Sequence, residues 1–231
     1  MRESPNQLRS KMFIINCKNY DEIAGEKIIK IAKTAEKLSK KYKIPIAIAP
    51  PHHLIPLITK FKIIVLAQHL DDKKIGGTTG FMVPEIAKKS KIHGSIINHS
   101  EHRISEKEIK SLVKRLHRLK LKTVLCVKNV NEIKKYVKLN PTFIAIEPPE
   151  LIGTGRAISK ERPELITNSV QAMKSGKNST RLLCGAGIVS GEDVSRAKEL
   201  GSKGILVASG IVKAKNWEKI ISEFCKGLKS Q

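Results

Sequence analysis

Residues 142–155 read TFIAIEPPELIGTG. From Phe143 to Ile146 the run is continuously apolar, and it ends on a carboxylate, Glu147. Pro148 and Pro149 follow at once, then a second acid, Glu150, then Gly153 and Gly155 around Thr154. A short apolar run without polar alternation is what a strand buried on both faces requires, as in a parallel sheet covered by helices. The remainder has two readings. Most acids at a strand end followed by prolines and glycines belong to ordinary surface turns. The other reading is a general base beneath a mobile, phosphate-binding lid.

The same pattern recurs along the chain. Beside TFIAIE (142–147), strands are predicted at MFIINC (12–17), IPIAIAP (44–50), IIVLAQ (63–68), GSIINH (94–99), KTVLCV (122–127), RLLCGA (181–186) and GILVAS (204–209). Amphipathic helices separate them. In 106–120, Ile109, Leu112, Val113, Leu116 and Leu119 recur at three- and four-residue steps, and Ser105 with Glu108 forms a capping-box start. A last helix over 214–228 carries Trp217, Ile220, Ile221, Phe224 and Leu228 on one face. The segment after the second strand is short, contains Pro51 and Pro56, and supports only a stubby helix.

Eight strand–helix units in 231 residues leave about 29 residues per unit. An open dinucleotide-binding sheet needs a GxGxxG turn after its first strand, and NCKNYDE (16–22) has none. The predicted architecture is therefore an α/β fold, a single-domain (β/α)8 barrel over 12–231 behind a polar extension, 1–11. It is compact against the roughly 250 residues typical of the fold, so some helices should be short or missing.

Composition excludes several classes. Hydrophobic residues make up 40%, too many for a disordered chain. Apolar runs stop at about six to eight residues, short of the roughly 18 a membrane helix needs. The N-terminal MRESPNQLRSK lacks an apolar core, so it reads as an extension and not a signal peptide, and a cytoplasmic location is expected. Cys17, Cys126, Cys184 and Cys225 form no CxxC pair, and buried reduced thiols are expected in place of zinc ligands or disulfides. The net charge of +23 raises a nucleic-acid reading. The lysines, however, are dispersed over helix surfaces such as KIIKIAK (27–33) and SLVKRLHRLKLK (111–122), with no interleaved aromatics for base stacking. A solvated lysine-rich exterior is the plainer account, and nucleic acid is not an expected partner.

In a (β/α)8 barrel the active site lies at the C-terminal ends of the strands. Those ends deliver Asn16 and Lys18; Gln68 and His69; Asn98, His99, Ser100 and Glu101; Glu147; the GAG triplet 185–187; and the ASG triplet 208–210. Singly each is weak, since a strand-end lysine is usually solvated and a lone histidine usually structural. Jointly they place a lysine, a histidine and a carboxylate at one mouth, with free backbone N–H groups for a phosphate.

These segments resemble the triosephosphate isomerase family, from Met12 to about Gly227. INCKNY (15–20) resembles its first-strand motif, AQHLDD with GGTTG (67–72 and 76–80) its third loop, INHSEHR (97–103) its histidine motif and IEPPELIGTG (146–155) its catalytic lid. LLCGAGI (182–188) and ILVASGIV (205–212) are similar to its two phosphate loops. The resemblance implies interconversion of dihydroxyacetone phosphate and glyceraldehyde 3-phosphate, as in glycolysis and gluconeogenesis, through an enediolate. Glu147 would be the base, His99 the electrophile, and Lys18 the cation that stabilises developing charge. Asn16, Ile152, Gly153, Gly187, Ala208 and Ser209 would complete the substrate site beneath a lid spanning 148–158. A proton shuttle between adjacent carbons calls for no metal or organic cofactor. Sugar-phosphate epimerases and synthases share the last two loops but not the whole set.

The short length and the forms PPELIGTG, CGAGI and VASGI look most like the archaeal branch, which implies a homotetramer, with a dimer as the smaller option, associating through the loop around Thr79. Departures are Glu150 where many members carry Trp, Gly187 where many carry Ser, Ala208 in place of one glycine of a pair, and His102 where Arg is commoner. Glu150 is expected to anchor the lid.

Overall fold

The structure, a computed structural model, describes residues 11–175 and 179–229. The expected extension, 1–11, lies outside the described residues except for Lys11. Eight parallel strands close into one barrel: β1 (Met12–Asn16), β2 (Ile46–Ala49), β3 (Ile64–Ala67), β4 (Gly94–Ile97), β5 (Lys122–Val127), β6 (Phe143–Ile146), β7 (Arg181–Cys184) and β8 (Gly204–Val207). Pairing of Ile14 with both Ala47 of β2 and Leu206 of β8 closes the ring.

The continuous apolar runs are explained by two cores sharing each strand. One side-chain set, including Met12, Ile14, Ala47, Ala49, Ile96, Val124, Phe143 and Leu206, plugs the barrel. The alternate set, including Phe13, Ile15, Ile46, Ile48 and Ile144, packs outward against the helices. A strand covered on both faces takes a polar residue before its end only where the backbone satisfies it, as Ser95 Oγ does by donating to Ile96 O and Thr123 Oγ1 by accepting from the Thr142 N–H. Most strands stop one or two residues before the predicted run does, because Gln68 and Asn98–His99 turn out of the ladder to build the mouth.

The longer helices are α1 (Lys27–Tyr42), α4 (Glu106–Arg118), α7 (Pro163–Met173), α8 (Gly191–Glu199) and α10 (Trp217–Lys229). α4 has the expected capping box, with the Glu108 N–H donating to Ser105 Oγ at 3.3 Å and the Ser105 N–H donating to Glu108 Oε2 at 2.9 Å. Truncation falls where the prolines indicated: α2 is only Ile55–Ile58, and α3 (Pro84–Lys89) and α5 (Val130–Tyr136) are also short. Every crossover nonetheless carries a helix, so shortening alone accounts for the small barrel. Two four-residue helices, α6 (Ile158–Glu161) and α9 (Ser209–Val212), sit at the C-terminal mouth.

At the opposite, N-terminal mouth, Lys43, Lys91 and Lys120 follow the ends of α1, α3 and α4 with φ of 56°, 63° and 57°. Glycine or asparagine favours this left-handed region, whereas other residues spend roughly 1–2 kcal/mol there. The four cysteines are all buried and reduced, as expected.

Candidate active site

Lys18 is held by its backbone. Its N–H donates to Asn16 Oδ1 at 3.1 Å, its φ of 45° is left-handed, and Gln68 Nε2 donates to its carbonyl at 2.9 Å and to that of Ala49 at 3.1 Å. A non-glycine residue kept in that region requires such over-determination. The Lys18 Nζ then meets Glu101 Oε1 at 2.7 Å.

His99 follows Asn98, which is also left-handed and whose Nδ2 donates to Cys126 O at 2.9 Å. The chain turns there, so that the Glu101 N–H donates to His99 Nδ1 at 3.2 Å. Accepting that bond requires a lone pair on Nδ1 and assigns the imidazole proton to Nε2. That Nε2 faces Glu147 Oε1 across 3.6 Å, wider than a hydrogen bond.

Glu147 leaves β6 with its N–H on Val127 O at 2.9 Å, and its side chain is almost wholly buried. Among the described residues its Oε2 has no hydrogen-bond partner. Burial pushes the carboxyl above the ordinary carboxylate range, while His99, the Cys126 thiol and the Lys18 and Arg103 charges pull the other way.

The lid begins as a 3₁₀ turn, Pro149–Leu151, with Leu151 buried beneath it. Gly153 and Gly155 take φ of 75° and 73°; between them Thr154 Oγ1 donates to Leu151 O at 2.9 Å and accepts from the Arg156 N–H at 3.1 Å. Glu150 pairs with Arg162 at 3.2 Å, Arg156 pairs with Glu161, and the Ile158 N–H donates to Ala186 O at 3.2 Å. The anchoring expected of Glu150 is thus an ion pair to the start of α7.

A Cβ on Gly187 would lie 1.8 Å from Arg156 O, so the lid backbone rests directly on this loop. Gly187→Ala, at φ of +67°, is expected to push the lid off its seat and lower kcat/KM. Unchanged steady-state kinetics would show that the contact does not matter.

Asn16, Lys18, His99, Glu147, Ile152, Gly153, Gly187, Ala208 and Ser209 line one space of about 40 Å³, whereas the other strand-end residues, Gln68, His69, Asn98, Ser100 and Glu101, do not line it. Asn16, Lys18, His99 and Glu147 form one side of it. Ile152 and Gly153 roof it, and Gly187, Ala208 and Ser209 close the far end, where the first N–H groups of α9 have no partner inside their own helix. An acid–base group, an opposed N–H donor, a cation and an N–H cradle therefore share one enclosed volume.

The family model described as triosephosphate isomerase matches residues 11–224. The chain belongs to the triosephosphate isomerase family. Three similar proteins bear that name. The protein from Cenarchaeum symbiosum is 50% identical over 220 residues, covering 95% of this chain and 99% of its own. That from Methanocaldococcus jannaschii is 42% identical, covering 93% and 99%, and that from Methanothermus fervidus is 41% identical, covering 92% and 96%.

Three features of this triosephosphate isomerase-family site were not read from the sequence. Gly185 appeared only as part of a phosphate loop, but a Cβ there would lie 2.6 Å from Glu147 Cγ and 2.9 Å from Oε1. Its absence makes room for the carboxylate. Glu101 both pairs with Lys18 and, through its N–H, directs His99, and Gln68 pins the Lys18 loop. No local signal marks such partners, since Glu101 lies 83 residues from Lys18.

Proposed function

We propose that the chain is an intramolecular oxidoreductase of the aldose–ketose type, interconverting dihydroxyacetone phosphate and D-glyceraldehyde 3-phosphate. The observation that carries this reading is the Glu147 carboxylate opposed to a protonated His99 Nε2 at 3.6 Å in a lid-covered, cation-bearing cavity. Glu147 takes a proton from the carbon beside the carbonyl and returns it to the neighbouring carbon. His99 Nε2–H donates to the oxygens that carry the developing enediolate charge. Lys18 offsets that charge and the phosphate's, with Asn16 orienting the oxygens. The N–H groups of Gly153, Gly187, Ala208 and Ser209 hold the phosphate, and Ile152 excludes water that would otherwise protonate the enediolate or let it shed phosphate. An assay coupling triose phosphate conversion to a dehydrogenase tests this. Absence of turnover by the purified chain would overturn it.

The same reading takes residues 12–231 as the catalytic domain and 1–11 as an extension. It also takes the protein as a homotetramer working in the cytoplasm. Among the described residues no helix is long and apolar enough to cross a membrane. The loop around Thr79 leaves Ile75 59% and Phe81 46% exposed, apolar area that a second copy would cover. Its base is held by Arg115, which pairs with Asp72 at 3.2 Å and with Glu85. Light scattering should give the mass of four chains, and Ile75→Glu should reduce it. A parent that runs as a monomer would contradict the assembly but not the chemistry.

A further inference from the structure

Arg103 closes the INHSEHR stretch, 97–103, yet it does not line the cavity that His99 and Glu147 share. Its guanidinium works one layer behind them. Nη1 donates to Asn98 O at 3.0 Å and to Cys126 O at 3.4 Å, and lies 3.9 Å from Glu132 Oε2. Glu132 is itself fixed at the start of α5, where its N–H donates to Asn129 Oδ1 at 3.0 Å and its Oε2 accepts the Lys128 N–H at 2.9 Å. One cation thus ties the end of β4 to the end of β5 and to α5.

Asn98 is the residue that needs the tie. It is buried, its φ is 58°, and His99 comes next in the chain. A non-glycine residue stays in this left-handed region only where its surroundings over-determine it. Three contacts do so here: Oδ1 accepts the Ile104 N–H at 3.3 Å, Nδ2 donates to Cys126 O at 2.9 Å, and the carbonyl accepts from Arg103. The last is charge-assisted, the stronger kind of hydrogen bond. That carbonyl belongs to the planar peptide leading into His99, so holding its oxygen holds the plane from which the imidazole projects. Beyond it the His102 N–H closes the turn on His99 O at 2.9 Å.

We propose that Arg103 is a positioning residue for the isomerase reaction, clamping the Asn98–His99 peptide so that the His99 Nε2–H faces Glu147. The inference rests on the isomerase reading above, but the clamp itself can be observed without turnover. The guanidinium charge also acts on Glu147, as one of those that pull its carboxyl back towards the ordinary range. Substitution separates the two effects. Arg103→Lys keeps the charge on a side chain one bond shorter, which falls short of the Asn98 carbonyl, whereas Arg103→Met removes charge and donor together.

Both variants should lose about 10- to 100-fold in kcat with KM within about twofold of the parent, because a displaced donor fails the transition state more than the bound substrate. The acid limb of kcat/KM should move to higher pH in Arg103→Met and stay in place in Arg103→Lys. Nitrogen NMR of histidine-labelled protein, with His99 assigned through His99→Gln, should show the Nε2-protonated tautomer in the parent and mixed tautomers in both variants. Thermal melting checks the fold, and should Arg103→Met melt early, Arg103→Lys carries the test alone. Parental kcat in Arg103→Lys would overturn the clamp. So would a lowered kcat with the His99 resonances unchanged. An inactive parent would overturn the isomerase reading alone, since the His99 resonances would still decide whether Arg103 holds the ring.

Discussion

Glu147→Gln should lower kcat by at least about 10²-fold, the lower scale for a positioned general base. The amide keeps the shape of the carboxylate and the space opened by Gly185, but cannot accept the carbon-bound proton. Burial raises the Glu147 pKa, so the acid limb of the kcat/KM profile should lie above the ordinary carboxylate range and vanish in the variant. The sign for stability is opposite to that of a salt-bridged acid. A carboxyl whose pKa is raised on folding costs stability as pH rises above its unfolded value, in full once pH exceeds the folded value, and the cost fades as pH falls from the folded value to the unfolded one. At neutral pH the variant should therefore melt at a higher temperature than the parent. Parental turnover would sink the assignment of the base, and an unchanged acid limb would sink its assignment to this carboxyl.

Lys18→Met is the second large effect, expected at about 10²–10³-fold in kcat/KM, the scale for removing one preorganised stabiliser of developing charge. Both kcat and KM should suffer, because in the proposed mechanism the ammonium serves the phosphate and the enediolate alike. The fold should hold. The partner left behind, Glu101, is 58% exposed and stays hydrated, and Gln68 and Asn16 grip the Lys18 backbone and not its side chain. Thermal melting distinguishes the two causes of inactivity, and near-parental kcat/KM would remove Lys18 from the proposed mechanism.

Much of this was legible in sequence because buried parallel strands announce themselves as unbroken apolar runs, and the first polar residue after each run falls at the mouth. That logic located Lys18, His99 and Glu147 without any knowledge of their distances. It failed where a residue acts by what it lacks or by what it meets far along the chain. A GAG triplet can serve a phosphate or spare a side chain, and the steric role of Gly185 appears only once β6 and β7 are neighbours. The +23 charge was legible as dispersed lysines on helices.

The sealed thiols give the protein an internal clock. Burial pushes Cys17, Cys184 and Cys225 up to about 12 and holds Cys126 well above its usual value, so almost no thiolate exists in the native state. Alkylating reagents can reach Cys126 and Cys184 only when strands part, whereas Cys225, on α10, also reports an undocking of that helix. Site-resolved labelling over time would thus time the opening of the barrel wall separately from the peeling of its last helix.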